Sequence, residues 1–200
     1  MTTEGKIIGT LTTHTMGYAA YGKRKDILRY NSPDEYVEKL DERLTRIKIL
    51  DHQISNLDSV ENSLIEKYEV EFTINDGTNK DQFYFSPFFI NTISKNPFNL
   101  NERTYPVDLG AASDERIIIN VLLPEKYQLI EKPKDMAIAL PNAGGRYLLQ
   151  TGLDGNTISM SQILQFNNAI YQPEEYLFLK EFYSKIIQNQ KTEFLLKKAN

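Results

Sequence analysis

Gly17-Tyr18-Ala19-Ala20-Tyr21-Gly22-Lys23-Arg24 comes within one residue of the phosphate-binding loop G-x-x-x-x-G-K-[ST]. In that loop, glycines let backbone amides cradle phosphate oxygens, and the closing hydroxyl holds magnesium. Here Arg24 stands where the hydroxyl belongs, and the next capped helix is signalled only at Ser32, too late for the strand-to-helix passage the loop needs. The stretch therefore reads as a turn followed by a basic strand, without a nucleotide site.

Other catalytic sets are equally incomplete. Cys is absent, which removes thiolate nucleophiles, thiolate metal ligands and disulfides together. His14 and His52 are the two histidines; neither has a neighbour at zinc-ligand spacing, and both sit in strand-like sequence, so they read as structural. No G-x-S-x-G elbow marks a serine nucleophile. A Ser/His hydrolase would need His14 or His52 within hydrogen-bond reach of a Ser and an acid. The acid pairs Asp34-Glu35 and Glu174-Glu175 open helical patterns, where carboxylates favour the helix dipole; Asp114-Glu115 beside Arg116 reads as a solvated turn. Neither Asn75-Asp76-Gly77 nor Asp154-Gly155 supplies the alternating ligands of a calcium loop. The expectation is a non-enzymatic chain with no catalytic residue, no cofactor and no metal.

Phe83, Phe85, Phe88 and Phe89 cluster around Pro87 and read as β core. Exposed aromatics would instead suit a glycan- or peptide-binding module. The formal net charge of -4 over 200 residues offers no general attraction to nucleic acid, and no run of about eighteen apolar residues suggests a membrane span.

The elements that would position these residues are mainly strands. Tyr68, Val70, Phe72 and Ile74 alternate with Lys67, Glu69, Glu71 and Thr73, which puts the apolar set on one face. Residues 117–123 are apolar on both faces except at Asn120, predicting a central strand covered on both sides. Asp154-Gly155 joins 146–150 to 157–166 as a hairpin, Asn75-Asp76-Gly77 predicts another turn, and Thr-rich 7–15 suits an edge strand. Two helices interrupt the pattern. Ser32-Pro33-Asp34-Glu35 caps the first, with Val37, Leu40 and Leu44 as its stripe; the second runs from Pro173 to about Gln190, its apolar face formed by Tyr176, Leu179, Tyr183, Ile186 and Ile187. Breakers over 86–105 suggest a boundary near Asn99, giving an N-terminal β subdomain with one helix (1–99) and a C-terminal β subdomain with a long C-terminal helix (100–200). The fold class is α+β: antiparallel, sandwich-like sheets with two packed helices.

Several stretches in order carry a family likeness: Gly17-Tyr18-Ala19-Ala20 and Arg24; Asn96-Pro97-Phe98, Arg103 and Tyr105-Pro106-Val107-Asp108; Leu123-Pro124 and Tyr127; Ile138-Ala139-Leu140-Pro141; Pro173-Glu174-Glu175-Tyr176, Leu179-Lys180, Phe182-Tyr183 and Leu196-Lys197-Lys198. Together they resemble the C-terminal non-catalytic β region, a domain of unknown function, of Bacteroidetes-type transglutaminase-like proteins. The resemblance implies an accessory domain following a papain-like core in an exported, periplasmic protein, with that upstream domain as its partner and an export signal upstream of Met1. It transfers no functional residue, since the family's Cys nucleophile has no counterpart here.

Overall fold

Side-chain alternation and charge placement build a three-stranded antiparallel sheet in the order β1-β3-β2 from β1 (Lys6–Thr15), β2 (Ile47–Ser55) and β3 (Leu64–Thr73). The protein is described by a computed structural model over residues 6–44, 47–73, 82–88 and 92–198. It divides into two units, Met1–Asp76 and Gly77–Asn200. In the first, Tyr68 and Phe72 are buried and Val70 half-buried on one face of β3, as the alternation requires. Ile74 and the expected turn at Asn75-Asp76-Gly77 lie outside the described residues, as does Phe89.

Helices α1 (Gly17–Ile27) and α2 (Pro33–Asp41) complete this unit. Ala20, Ile27, Tyr36 and Val37 share a core with Leu64 and Tyr68. Ser32 caps α2 as expected, its Oγ accepting the Glu35 N–H at 3.1 Å. The expected turn and basic strand after Gly17 are corrected: the segment is helical throughout. Ala19, Ala20, Lys23 and Arg24 are strong helix formers, Lys25 and Arg24 sit favourably in the last turn, and Gly17 takes φ +59° at the helix start. Two glycines and the lack of an N-cap side chain hid this helix. Among the described residues the α-helices thus number three rather than two.

The second unit contains β4 (Gln82–Phe85), β5 (Val107–Asp108), β6 (Ser113–Leu122), β7 (Tyr127–Glu131), β8 (Met136–Ala139), β9 (Gly145–Asp154), β10 (Thr157–Phe166), β11 (Ile170–Tyr171), α3 (Tyr176–Asn189) and β12 (Phe194–Lys198). Its main sheet runs β6-β10-β9-β8, with a β4-β12-β7 sheet and a β11-β5 ribbon. The hairpin forms as expected: Asp154 pairs with Thr157 around Gly155-Asn156, and Gly155 takes φ +54°. A Cβ on Gly145 would meet the Gln165 carbonyl oxygen at 2.5 Å, so only glycine allows β9 and β10 to meet there. Tyr176, Leu179, Phe182 and Ile186 of α3 share a core with Tyr147, Leu149, Met160 and Phe166.

Three further expectations change. Strand β6 is an edge strand, and its outer face is open, with Ile118 73% exposed while Val121 is 5% exposed. An unbroken apolar run does not require two covered faces. Asp114 and Glu115 belong to this strand rather than to a turn, and Arg116 pairs with Asp114 at 2.9 Å. The expected boundary near Asn99 falls inside the second unit, because β4 pairs with β12 and draws 82–85 to the far end of the chain. The breaker-rich stretch beyond it docks on α3: Asn96 Nδ2 donates to the Lys180 carbonyl at 2.8 Å and Ile93 N–H to Gln190 Oε1 at 2.9 Å.

Candidate functional site

The loop-like Gly17–Arg24 segment becomes a helix with two unlike faces. At 3.6 residues per turn, Ala20, Arg24 and Ile27 fall on one side and Tyr18, Tyr21, Lys25 and Leu28 on the other. The first set is buried. In the second, Tyr18 is 82%, Tyr21 65% and Leu28 61% exposed.

Arg24 fixes the inward face. Its Nε and Nη2 donate to the Asn56 carbonyl at 3.3 and 3.0 Å, and Nη2 also reaches the Ser59 and Asn62 carbonyls at 2.6 and 2.8 Å. The planar guanidinium suits this work because its donors are held in a fixed fork. The side chain that stood in place of a magnesium-binding hydroxyl therefore gathers the β2–β3 connection beneath α1.

Lys23 likewise points to the interior. Its Nζ donates to Tyr36 Oη at 3.4 Å and lies 3.8 Å from Glu66 Oε2. Glu66 is 2% exposed on the inward face of β3. Tyr68 Oη donates to its Oε1 at 2.7 Å and Thr13 Oγ1 to its Oε2 at 3.4 Å. Burial, then the Glu66 hydrogen bond and charge, push the Tyr68 hydroxyl pKa far above its ordinary value. Burial, followed by the Glu66 charge, also raises that of Tyr36. Both phenols stay protonated, and that of Tyr68 serves as a donor to the buried carboxylate, so the cluster joins β1, α1, α2 and β3. Parity was the available signal for Glu66, since it shares even numbering with Tyr68, Val70 and Phe72; the acidic alternation around it masked the signal.

The two histidines are not brought together. His14 pairs in register with Ile65 on the exposed face of the first sheet, whereas His52 pairs with Tyr68 on the helix-covered face. His52 Nε2 lies 3.1 Å from Asp34 Oδ1, linking β2 to the first turn of α2. Glu175 closes the start of the C-terminal helical segment by accepting the Gln172 N–H at 2.8 Å. Phe83, Phe85 and Phe88 are buried, as the core reading expects.

Two polar networks in the second unit went unread in the sequence. Tyr147 Oη donates to Asn189 Oδ1 at 2.8 Å and reaches Gln162 Oε1 at 3.3 Å, where Gln190 Nε2 also donates at 3.3 Å. Where β8 begins, side chains continue the ladder: Asp135 Oδ1 accepts the Thr151 N–H at 2.9 Å, and Lys132 Nζ donates to the Thr151 carbonyl at 2.8 Å. Beside them a shallow cavity of ≈ 250 Å³ is lined by Asp135, Met136, Ala137, Leu148, Leu149 and Gln150. Both networks are occupied in holding strands and α3 together. Among these candidates, the outer stripe of α1 is the surface presented to solvent while Arg24 is buried beneath the helix and the half-exposed Lys23 reaches toward the buried Glu66.

Residues 81–196 match a family described as a domain of unknown function with a solved structure (DUF3858). No curated protein matches the sequence. A crystal structure described as that of a candidate protease from Parabacteroides distasonis is similar at 20% identity and a TM-score of 0.42. The similarity covers 50% of this chain and 19% of that one, so the chain spans about a fifth of that protein's length.

Proposed function

Through residues 81–196 the chain belongs to the DUF3858 family of domains of unknown function, and from that premise we propose that it is a non-catalytic accessory and interaction module of a larger exported bacterial protein. In this reading it supports and orients a transglutaminase-like, papain-like domain in the periplasm. The observation that carries the reading is the outward stripe of α1, with Tyr18, Tyr21 and Leu28 largely exposed beside Lys25 while the opposite face is locked to the sheet. Exposed aromatic and apolar side chains on a rigid element gain most by being covered by a partner.

A glycan-binding role draws on the same two tyrosines. A sugar platform needs a concave setting, whereas these rings stand one turn apart on a convex helix, which suits a protein partner better.

The test is titration of this chain with a separately produced papain-like domain of the same polypeptide. Saturable binding is expected, weakened ~10-fold or more by Tyr18→Ser/Tyr21→Ser/Leu28→Ser while the unfolding curve holds. No binding by the folded wild type would defeat the proposal, and capture of an oligosaccharide through the same residues would replace it with the glycan reading.

A further inference from the structure

The two edges of the first sheet are finished differently. On β2 the ladder is broken by a bulge around Leu50, and two backbone amides are taken by carboxylates, Ile49 N–H by Asp41 Oδ1 at 2.6 Å and His52 N–H by Asp51 Oδ1 at 2.8 Å. Such bulges and acidic caps keep a further strand from adding. Strand β1 has neither. Its register with β3 runs unbroken, and among the described residues the backbone partners of Ile7 to Thr15 all lie on β3. Nothing between Lys6 and His14 is charged or proline. One side of this strand therefore offers a regular row of amide and carbonyl groups, the chemistry that recognises another extended backbone.

We infer that this edge is a self-association surface, on which β1 of a second copy pairs antiparallel about a two-fold axis to give a continuous six-stranded sheet. The side chains favour a copy over an unrelated strand. A two-fold axis through the sheet keeps each face with its counterpart, so even-numbered residues meet even-numbered ones. With Thr10 on the axis, Ile8 faces Thr12 of the copy and Gly9 faces its Leu11. A Cβ on Gly9 would have nothing within 4 Å, and Leu11 is half-buried, so the larger side chain of each copy fills the space left open by the glycine of the other. Neutral pairs occupy the centre, those of Thr10 with its twin and of Ile8 with Thr12 being β-branched, and the pairing brings no carboxylate of β1 against its twin. The surface is distinct from the α1 stripe, so partner docking and self-association can fail separately.

The chain contains no Cys, which makes a crosslink on the axis a clean probe. Directly opposed residues in antiparallel strands have Cα atoms about 4.5–5.5 Å apart, within disulfide reach. Sedimentation of the wild type at rising concentration should approach twice 23.1 kDa. Under mild oxidation Thr10→Cys should form a covalent dimer rapidly, whereas Leu50→Cys on the capped edge should not. Thr10→Lys/Thr12→Lys, at two exposed positions, should stay at monomer mass with an unchanged circular dichroism melt, because it sets like charges opposite one another in the pairing. A wild type that remains monomeric at several hundred micromolar overturns the inference. So does equal crosslinking at positions 10 and 50, or a folded lysine variant that still dimerises.

Discussion

Tyr68 donates its hydroxyl hydrogen to Glu66, two residues earlier on the same strand and the same buried face, at 2.7 Å. The pair places a carboxylate among apolar side chains and supplies it with a donor from its own strand. Tyr68→Phe keeps the ring and removes the donor, leaving a buried carboxylate oxygen short of a partner. The expected loss is about 1–3 kcal/mol, read from the denaturant midpoint. A midpoint equal to wild type would mean that water reaches Glu66.

Arg24 makes a comparable prediction for α1. Arg24→Lys keeps the charge but loses the fork that serves three carbonyls, at an expected cost of roughly 1.5–3 kcal/mol. Amide exchange should accelerate first in 56–63 and along α1. Unaltered exchange there, with normal stability, would show that the β2–β3 connection does not depend on the guanidinium.

How far the fold could be read depended on whether its signals were local. Ser32-Pro33 with Glu35 announced α2, and Asp154-Gly155 announced the β9–β10 hairpin, because each is complete within a few residues. Helix α1 was obscured by Gly17 and Gly22 and by an exposed face made of Tyr18, Tyr21 and Leu28, which erases the usual polar side. The pairing of β4 with β12 joins positions more than a hundred residues apart, and no periodicity reports it. Of the candidate site, the residue types were visible at once in Gly17–Arg24, but their roles were not. Which way Lys23 and Arg24 point is settled by Glu66 and by the carbonyls of 56–62, all brought in by tertiary packing.

The open outer face of β6 can be tested by substitution. Val121→Asp puts an unpaired carboxylate in a buried site, a cost of several kcal/mol against a total stability of about 5–15. Ile118→Asp, three residues away on the open face, should change stability by about 0.5 kcal/mol or less. Comparable losses from both would mean that the outer face of β6 is covered.

Acid sensitivity should have a component at Asp135. The Thr151 backbone N–H is the largest influence holding its carboxyl below the usual range, aided by the Thr151 hydroxyl and Lys132. A carboxyl depressed in the folded state stabilises above its unfolded pKa of about 3.9, and that contribution disappears as pH falls through the lower, folded value. The carboxylate is more than half exposed, so the effect is small. Asp135→Asn should flatten the stability profile below about pH 4 relative to wild type. A steeper acid limb in the variant would reverse the sign and contradict the hydrogen bonding seen at Thr151.

The last prediction concerns chemistry. General-base catalysis near neutral pH most often uses histidine, so a hydrolytic activity in this chain would be expected to run through His14 or His52. They occupy opposite faces of one sheet and cannot serve a common substrate atom. His52 is engaged by Asp34, an arrangement that orients an imidazole, yet the pair links the opening turn of α2 to β2 rather than facing a nucleophile named by any motif. His14→Gln/His52→Gln should therefore change stability by about 0.5 kcal/mol or less, since Gln preserves a donor toward Asp34 and alters little apolar volume. The wild type should release no product from peptide or ester substrates under conditions in which a papain-like enzyme turns over. Carboxylates or lysines could act as bases in other mechanisms, so the double variant tests histidine-dependent ones. Turnover by the wild type that vanishes in the double variant, with superimposable unfolding curves, would replace the accessory reading with that of a hydrolase.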